Sequence, residues 1–180
     1  MKQKTWKRLS TKVVFENKWM KVRLDHVINP LGEEGEFGII EKNDYGLIIP
    51  KISNKFCMVN EYRITVDARS WAFPQGHFET GADKSVEANA RRELKEETGL
   101  IANGIEYLSQ LYLAPGFCTQ KFSVYIANDC RQDQTKRDRT ESDMEVGLFE
   151  EDELKRMVRD GEVRDAPTVA AFGLYLLHKK

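Results

Sequence analysis

Apolar and polar residues alternate along the chain between Lys21 and Ile28, with Val22, Leu24, His26 and Ile28 on one side and Lys21, Arg23 and Asp25 on the other. A period of two marks an extended strand, here forming the second half of residues 11–28. The segment 29–35 has turn composition, with Pro30, Gly32 and Gly35, and Phe37 to Glu41 resumes an extended run. An antiparallel hairpin is therefore predicted to open the chain. Two short apolar runs follow, Tyr45 to Ile49 and Phe56 to Val59, separated by Pro50 and the Ser53-Asn54 turn. Runs without alternation suit strands covered on both faces of a central mixed sheet. Ile105 to Leu113 and Lys121 to Ala127 read as further strands joined by a Pro115-Gly116 turn, and Val146, Leu148 and Phe149 as another. The chain closes with a helix from Asp152 to Arg159, a turn at Asp160-Gly161, and an amphipathic helix from Pro167, a residue suited to a first helical turn. Residues 131–143 carry neither periodicity nor an apolar anchor and are expected to form a mobile loop.

A different pattern occupies the stretch from Gly76 to Leu100, GHFETGADKSVEANARRELKEETGL. Gly76 and Gly81 flank a short loop, a helix follows, and Gly99 stands where a left-handed residue would stop it. At helical spacing Glu93, Glu96 and Glu97 fall within roughly 100° of arc. Like charges so placed repel unless solvent, a basic partner or a cation offsets them. A solvated acidic face is one reading. The other is an oxygen-only site for a hard divalent cation, Mg²⁺ or Mn²⁺, since Zn²⁺ would ask for His or Cys.

The second half of this stretch resembles the Nudix box, whose pattern is G-x5-E-x7-R-E-U-x-E-E-x-G-U with U apolar. Arg92, Glu93, Leu94, Glu96, Glu97, Gly99 and Leu100 match it position by position. The first half departs. The early Glu of the pattern falls on Ala82, or on Lys84 when counted back from Arg92, and the fifteen residues between Gly76 and Arg92 are two more than the pattern allows. The resemblance implies metal ligation by Glu93, Glu96 and Glu97, with the backbone carbonyl of Gln75 as a further ligand. Arg92 is then the ion-pair partner that aims one carboxylate, or a salt bridge serving stability alone. It also implies a general base from a loop, Glu141, with Asp143 and Glu145 as alternatives.

Beyond the box, the Glu61-Tyr62-Arg63 strand end, Pro115 with Gly116, and the 161–171 segment GEVRDAPTVAA resemble the ADP-ribose pyrophosphatase group. That group has a Glu shortly after the Pro-Gly pair, where this chain has Gln120. Arg63 is expected to hold substrate phosphate or ribose, or else to be a surface ion-pair residue. His77 is read as a phosphate contact or loop packing. A competing resemblance is local: Trp71-Ala72-Phe73-Pro74-Gln75-Gly76-His77 is similar to the Trp-x-Phe-Pro-Lys-Gly-His run of diadenosine polyphosphate hydrolases, with Gln75 in place of Lys.

The implied architecture is an α/β (α+β) Nudix α/β/α sandwich with a mixed central sheet, residues 43–180, preceded by a small antiparallel β subdomain, residues 1–42. The implied activity is cleavage of the diphosphate of ADP-ribose or a nucleotide sugar to a nucleoside monophosphate and a sugar phosphate. Two alternatives stand beside it, a polyphosphate hydrolase and a catalytically weakened nucleotide-binding module. Composition narrows the partners. A chain of 180 residues with 41% apolar content can bury a core, and a net charge of −1 offers no footprint for nucleic acid or an anionic membrane. No apolar run approaches the ~20 residues of a membrane span, and the N-terminus lacks a signal-peptide core, so a cytoplasmic location is expected. Cys57, Cys118 and Cys130 have no metal-like spacing and are read as buried or idle thiols. A hairpin cannot bury its own faces. The stripe at Val22, Leu24 and Ile28 is therefore expected to be covered in a homodimer.

Overall fold

The computed structural model describes residues 5–77, 85–133 and 143–179, apart from the side chains of His77 and Val86. Contacts divide the chain into two compact units, residues 1–44 with 112–121, and residues 45–111 with 122–180.

The first unit is a three-stranded antiparallel sheet, β1 (Lys7–Glu16), β2 (Lys21–Ile28) and β3 (Glu34–Glu41), in the order β1-β2-β3. The expected hairpin is β2 with β3, and β1 is an additional strand that the alternation did not show. The reason lies in its pairing with β2, where register shifts fall between Arg8 and Ser10 and between Val13 and Phe15. Each bulge breaks the period of two, leaving Val13-Val14-Phe15 as an apolar run and not an alternating one.

The expectation for β2 also needs correction. Its buried positions are Arg23, Asp25 and Val27, whereas Val22, Leu24, His26 and Ile28 are only half-buried. Charge is tolerated inside because each group has an opposite charge beside it. Asp25, 1% exposed, accepts from Thr11 Oγ1 at 2.8 Å and pairs with Arg23 at 2.8 Å and Arg8 at 2.9 Å, while Arg23 also reaches Glu41 at 2.7 Å. His26 lies 3.1 Å from the Glu34 carboxylate. The segment Tyr112–Lys121 belongs to this unit through Ile40, whose N–H donates to Phe117 and whose carbonyl accepts from Thr119. Gln120, standing where an acid was sought, is buried and donates to the Asn43 carbonyl, a structural contact.

The second unit is built on a mixed sheet in the order β12-β5-β4-β10-β9, with β6 on β5 and β7 on β4. Its strands are β4 (Tyr45–Ile52), β5 (Lys55–Arg63), β6 (Ala68–Ala72), β7 (Gln75–His77), β8 (Leu100–Ile101), β9 (Gly104–Tyr112), β10 (Lys121–Asn128), β11 (Arg131–Gln132) and β12 (Glu145–Phe149). Its helices are α1 (Val86–Glu93), α2 (Glu151–Arg159) and α3 (Ala166–His178). None among the described residues is long and apolar enough to cross a membrane.

Alternate residues of the central strands feed two separate cores. Leu47, Ile49, Phe56, Met58, Val124 and Ile126 face Leu154 and Met157 of α2 and Phe172 and Tyr175 of α3. Their neighbours Ile48, Cys57, Tyr125 and Ala127 face Ala90 and Leu94 on the other side. Both faces are apolar because both are covered, which is why these strands read as continuous runs. The result is an α/β/α sandwich. Pro50 lies within β4 and not at its end, and the break comes at Ser53 and Asn54, whose positive φ of 49° and 66° make a tight hairpin turn.

Beyond that turn β4 and β5 part company. They pair only at Lys51↔Phe56 and Ile52↔Lys55, and further along β4 takes β7 as its antiparallel partner instead. The gap opened in this way admits the Phe73-Pro74 step and sets Gly76 opposite Gly46. Of the segment expected to be a loop, Arg131–Gln132 form a strand paired with Leu100–Ile101, and residues 134–142 lie outside the described residues.

Candidate active site

The acidic helix begins at Ser85, whose side chain accepts from Ala88 N at 3.0 Å and so caps α1. Regular α geometry was expected to run to Gly99. Instead α1 ends at Glu93 and the chain continues as one π turn, Leu94–Thr98, before Gly99 stops it at φ 72°. A π turn widens the helix locally and often marks a functional position. Glu93 and Glu97 are buried, at 8% and 5% exposure, while Glu96 is half-buried. Lys95 points elsewhere and pairs with Asp133 at 2.9 Å.

Arg92 is the hub of the cluster. Its guanidinium donates to Glu93 Oε1 at 2.7 Å, to Asn89 Oδ1 at 2.9 Å and to Glu96 Oε2. It thus holds two carboxylates at once. Asn89 in turn donates through Nδ2 to the Gly76 carbonyl at 2.9 Å. Gly76 leaves the room that the Glu93 carboxylate fills. A Cβ on it would lie 2.0 Å from Cδ and 2.1 Å from Oε1 of Glu93.

Gln75 is half-buried in β7 opposite Leu47, and its Nε2 donates to Asp165 Oδ2 at 3.2 Å. The same Asp165 oxygen accepts from Thr168 N at 2.9 Å and caps α3. Arg63, at the end of β5, pairs with Glu61 at 3.0 Å. It also bears on Tyr45: burial and the Asp165 carboxylate push the Tyr45 phenol upward, and Arg63 acts against them. Arg63 and Asp165 thus share one electrostatic neighbourhood, and Asp165 carries Gln75.

Of the loop acids, Asp143 pairs with Arg69 and Glu145 accepts from Asn60 at 3.1 Å. Glu141, Ala82 and Lys84 lie outside the described residues, as does the side chain of His77. Pro115 and Gly116 are exposed in the first unit, in a turn closed by Phe117 N on the Ala114 carbonyl. All three cysteines are free and buried. Burial, then Cys130, then Glu97 push the Cys57 thiol up to about 12, so it stays protonated and inert at neutral pH.

The donor chemistry fits a hard divalent cation. The buried carboxylates of Glu93 and Glu97 and the half-buried one of Glu96 supply oxygen only, and Gly76 leaves its Cβ space to Glu93. Among the described residues no three such side chains converge as a ligand set, and Arg92 lies between Glu93 and Glu96. Sequence reasoning missed two residues of this arrangement. Asp165 carries a signal in the Asp-Ala-Pro-Thr order of a capped helix start. Asn89 carries none beyond being a polar residue beside Ala88 and Ala90.

Comparison with known proteins bears on this geometry. The NUDIX domain matches residues 46–172, and the nucleoside diphosphate sugar hydrolase N-terminal domain matches residues 6–40. An ADP-ribose pyrophosphatase of Bacillus subtilis is 29% identical over 177 residues, covering 95% of this chain and 92% of that one. A methanol dehydrogenase activator of Bacillus methanolicus is 28% identical over 168 residues, 92% of this chain and 89% of its own. A solved structure titled as an ADP compounds hydrolase superposes with a TM-score of 0.85 at 21% identity, covering 95% of this chain and 92% of its own, which concerns the fold. With the NUDIX match spanning more than half of its length and the Arg92-to-Leu100 run complete, the chain belongs to the NUDIX family.

Proposed function

We propose that this protein is a pyrophosphatase that cleaves the diphosphate of ADP-ribose or a nucleotide sugar, with Mg²⁺ or Mn²⁺, to a nucleoside monophosphate and a sugar phosphate. The observation that carries this reading is the pair of buried carboxylates in one helical stretch, Glu93 held by Arg92 and against Gly76, and Glu97 buried in the π turn that follows. Buried like charges are costly, and a structure keeps them where a cation or an anionic reaction needs them. The relatives named for ADP-ribose, and the match of the N-terminal region to a nucleoside diphosphate sugar hydrolase domain, support the substrate class.

Glu93, Glu96 and Glu97 would hold the cation, with the Gln75 carbonyl as a further ligand. When bound, a divalent cation neutralises phosphate charge and lowers the pKa of a coordinated water. This chain's residues do the rest. Arg92 fixes the rotamers of Glu93 and Glu96. Arg63 offers a guanidinium for phosphate or ribose once it leaves Glu61, and Glu141 is our proposed general base. Water is our proposed attacking group, and the buried, protonated Cys57 thiol offers no competing nucleophile.

The Trp71-to-His77 run favours a second reading, hydrolysis of diadenosine polyphosphates. A longer phosphate chain brings more negative charge, and Gln75 adds none to offset it. We expect kcat/KM for ADP-ribose to exceed that for diadenosine tetraphosphate at equal Mg²⁺; the reverse order would replace the first reading with the second.

The first unit supplies a proposal about assembly. Leu9, Val13 and Phe15 on β1 are about half exposed, and Val22, Leu24 and Ile28 are incompletely covered. An isologous homodimer would cover them. Light scattering at micromolar concentration is expected to give twice the chain mass, and a monomer mass would refute the dimer.

A further inference from the structure

We propose that Asn89 is a positioning residue, tying the Gly76 strand to the acidic cluster and thereby setting cation affinity and turnover. The inference deepens the reading above and rests on it. Asn89 is 3% exposed and makes two side-chain hydrogen bonds, donating to the Gly76 carbonyl and accepting from Arg92, both at 2.9 Å. The partners fix which end of the amide is which, because a carbonyl only accepts and a guanidinium only donates. From Arg92 the chain of contacts passes to Glu93 Oε1 at 2.7 Å, and the Glu93 carboxylate lies over the Cα of Gly76, 2.0–2.5 Å from the place a Cβ would take. The circuit closes on itself: Gly76, Asn89, Arg92, Glu93, Gly76.

Covalent connection does little to enforce this geometry. Fifteen residues separate Gly76 from Arg92, two more than the family pattern allows, and a longer connection constrains its ends less. The pattern's early Glu is also missing from Ala82 and Lys84. The pairing of β7 with β4 registers Gly76 in the sheet, and the Asn89 hydrogen bond adds the link from that strand to α1. Asn is also a poor choice for a buried helix position on propensity alone, where Ala would be better by several tenths of a kcal/mol. Partners that support metal ligands from behind typically change affinity or activity ten- to a hundredfold when removed.

The test uses Asn89→Ala and Asn89→Leu in the full chain. Both lose the two hydrogen bonds, and Leu keeps the volume, so a packing defect separates from a lost tie. Mn²⁺ binding is followed by electron paramagnetic resonance without substrate, together with kcat, KM and thermal melting. Both variants are expected to melt cooperatively, to bind Mn²⁺ about tenfold more weakly, and to lose about tenfold or more in kcat with KM within about threefold. Wild-type Mn²⁺ affinity in either folded variant would overturn the proposal, and so would a wild-type protein that binds no Mn²⁺. If wild type binds Mn²⁺ but cleaves neither nucleotide, the functional reading fails while the Mn²⁺ comparison still decides the role of Asn89.

Discussion

Glu97→Gln is expected to lose at least about a hundredfold in turnover at saturating Mg²⁺ while melting no lower than the parent protein. The side chain is 5% exposed, so its charge is retained against a desolvation cost that the near-isosteric amide avoids. Burial and Cys130 push the Cys57 thiol upward, and the Glu97 carboxylate adds to them. On the proposed metal assignment, removing that charge takes a ligand from the loaded protein while the near-isosteric amide keeps the packing. Stability and activity should therefore move apart. Glu93→Gln should lose activity similarly, but with some stability, since Glu93 is also a partner of Arg92. Rates within about threefold of wild type for both variants would remove these two residues from the metal assignment.

Much of this arrangement was legible in the sequence because it depends on local spacing. Arg92, Glu93, Glu96 and Glu97 sit within one short helical stretch, and Gly99 stops it at positive φ as a glycine there suggests. The central strands were legible for the opposite reason: Ile48 and Leu47 serve different cores, so the run carries no polar interruption. What escaped was whatever depended on partners distant in the chain. The period of two located β2 but not its buried face, because Arg23 and Asp25 are made tolerable inside by Arg8, Thr11 and Glu41. Bulges hid β1. The π turn replaced the last stretch of α-helix, with Thr98 Oγ1 donating to the Leu94 carbonyl and accepting from Leu100 N. Asn89 was invisible because its meaning comes from Gly76, thirteen residues earlier.

Gly76→Ala should be nearly as damaging as the loss of a carboxylate, because the added methyl takes the place that the Glu93 carboxylate occupies. The φ of Gly76 is not in the left-handed region, so alanine meets no backbone strain there. What it meets is Glu93, whose Cδ, Oε1 and Oε2 lie 2.0, 2.1 and 2.5 Å from the new Cβ. Those atoms are the free end of a flexible side chain, and the backbone can stay in place while the carboxylate swings away. Glu93 then leaves Arg92, to which it is bound at 2.7 Å, and the guanidinium loses one of the groups that orient it. We expect a loss of about a hundredfold in kcat/KM, on the scale of removing a ligand's support, with the sheet pairing of β7 on β4 intact. The compensating change is Glu93→Asp, which is shorter by one methylene and vacates the space of the added methyl. If the steric account holds, the double variant will be less impaired than the product of the two single effects, the signature of residues in contact. Independent effects in that cycle, or full activity in Gly76→Ala alone, would mean that the glycine is not there to make room for Glu93.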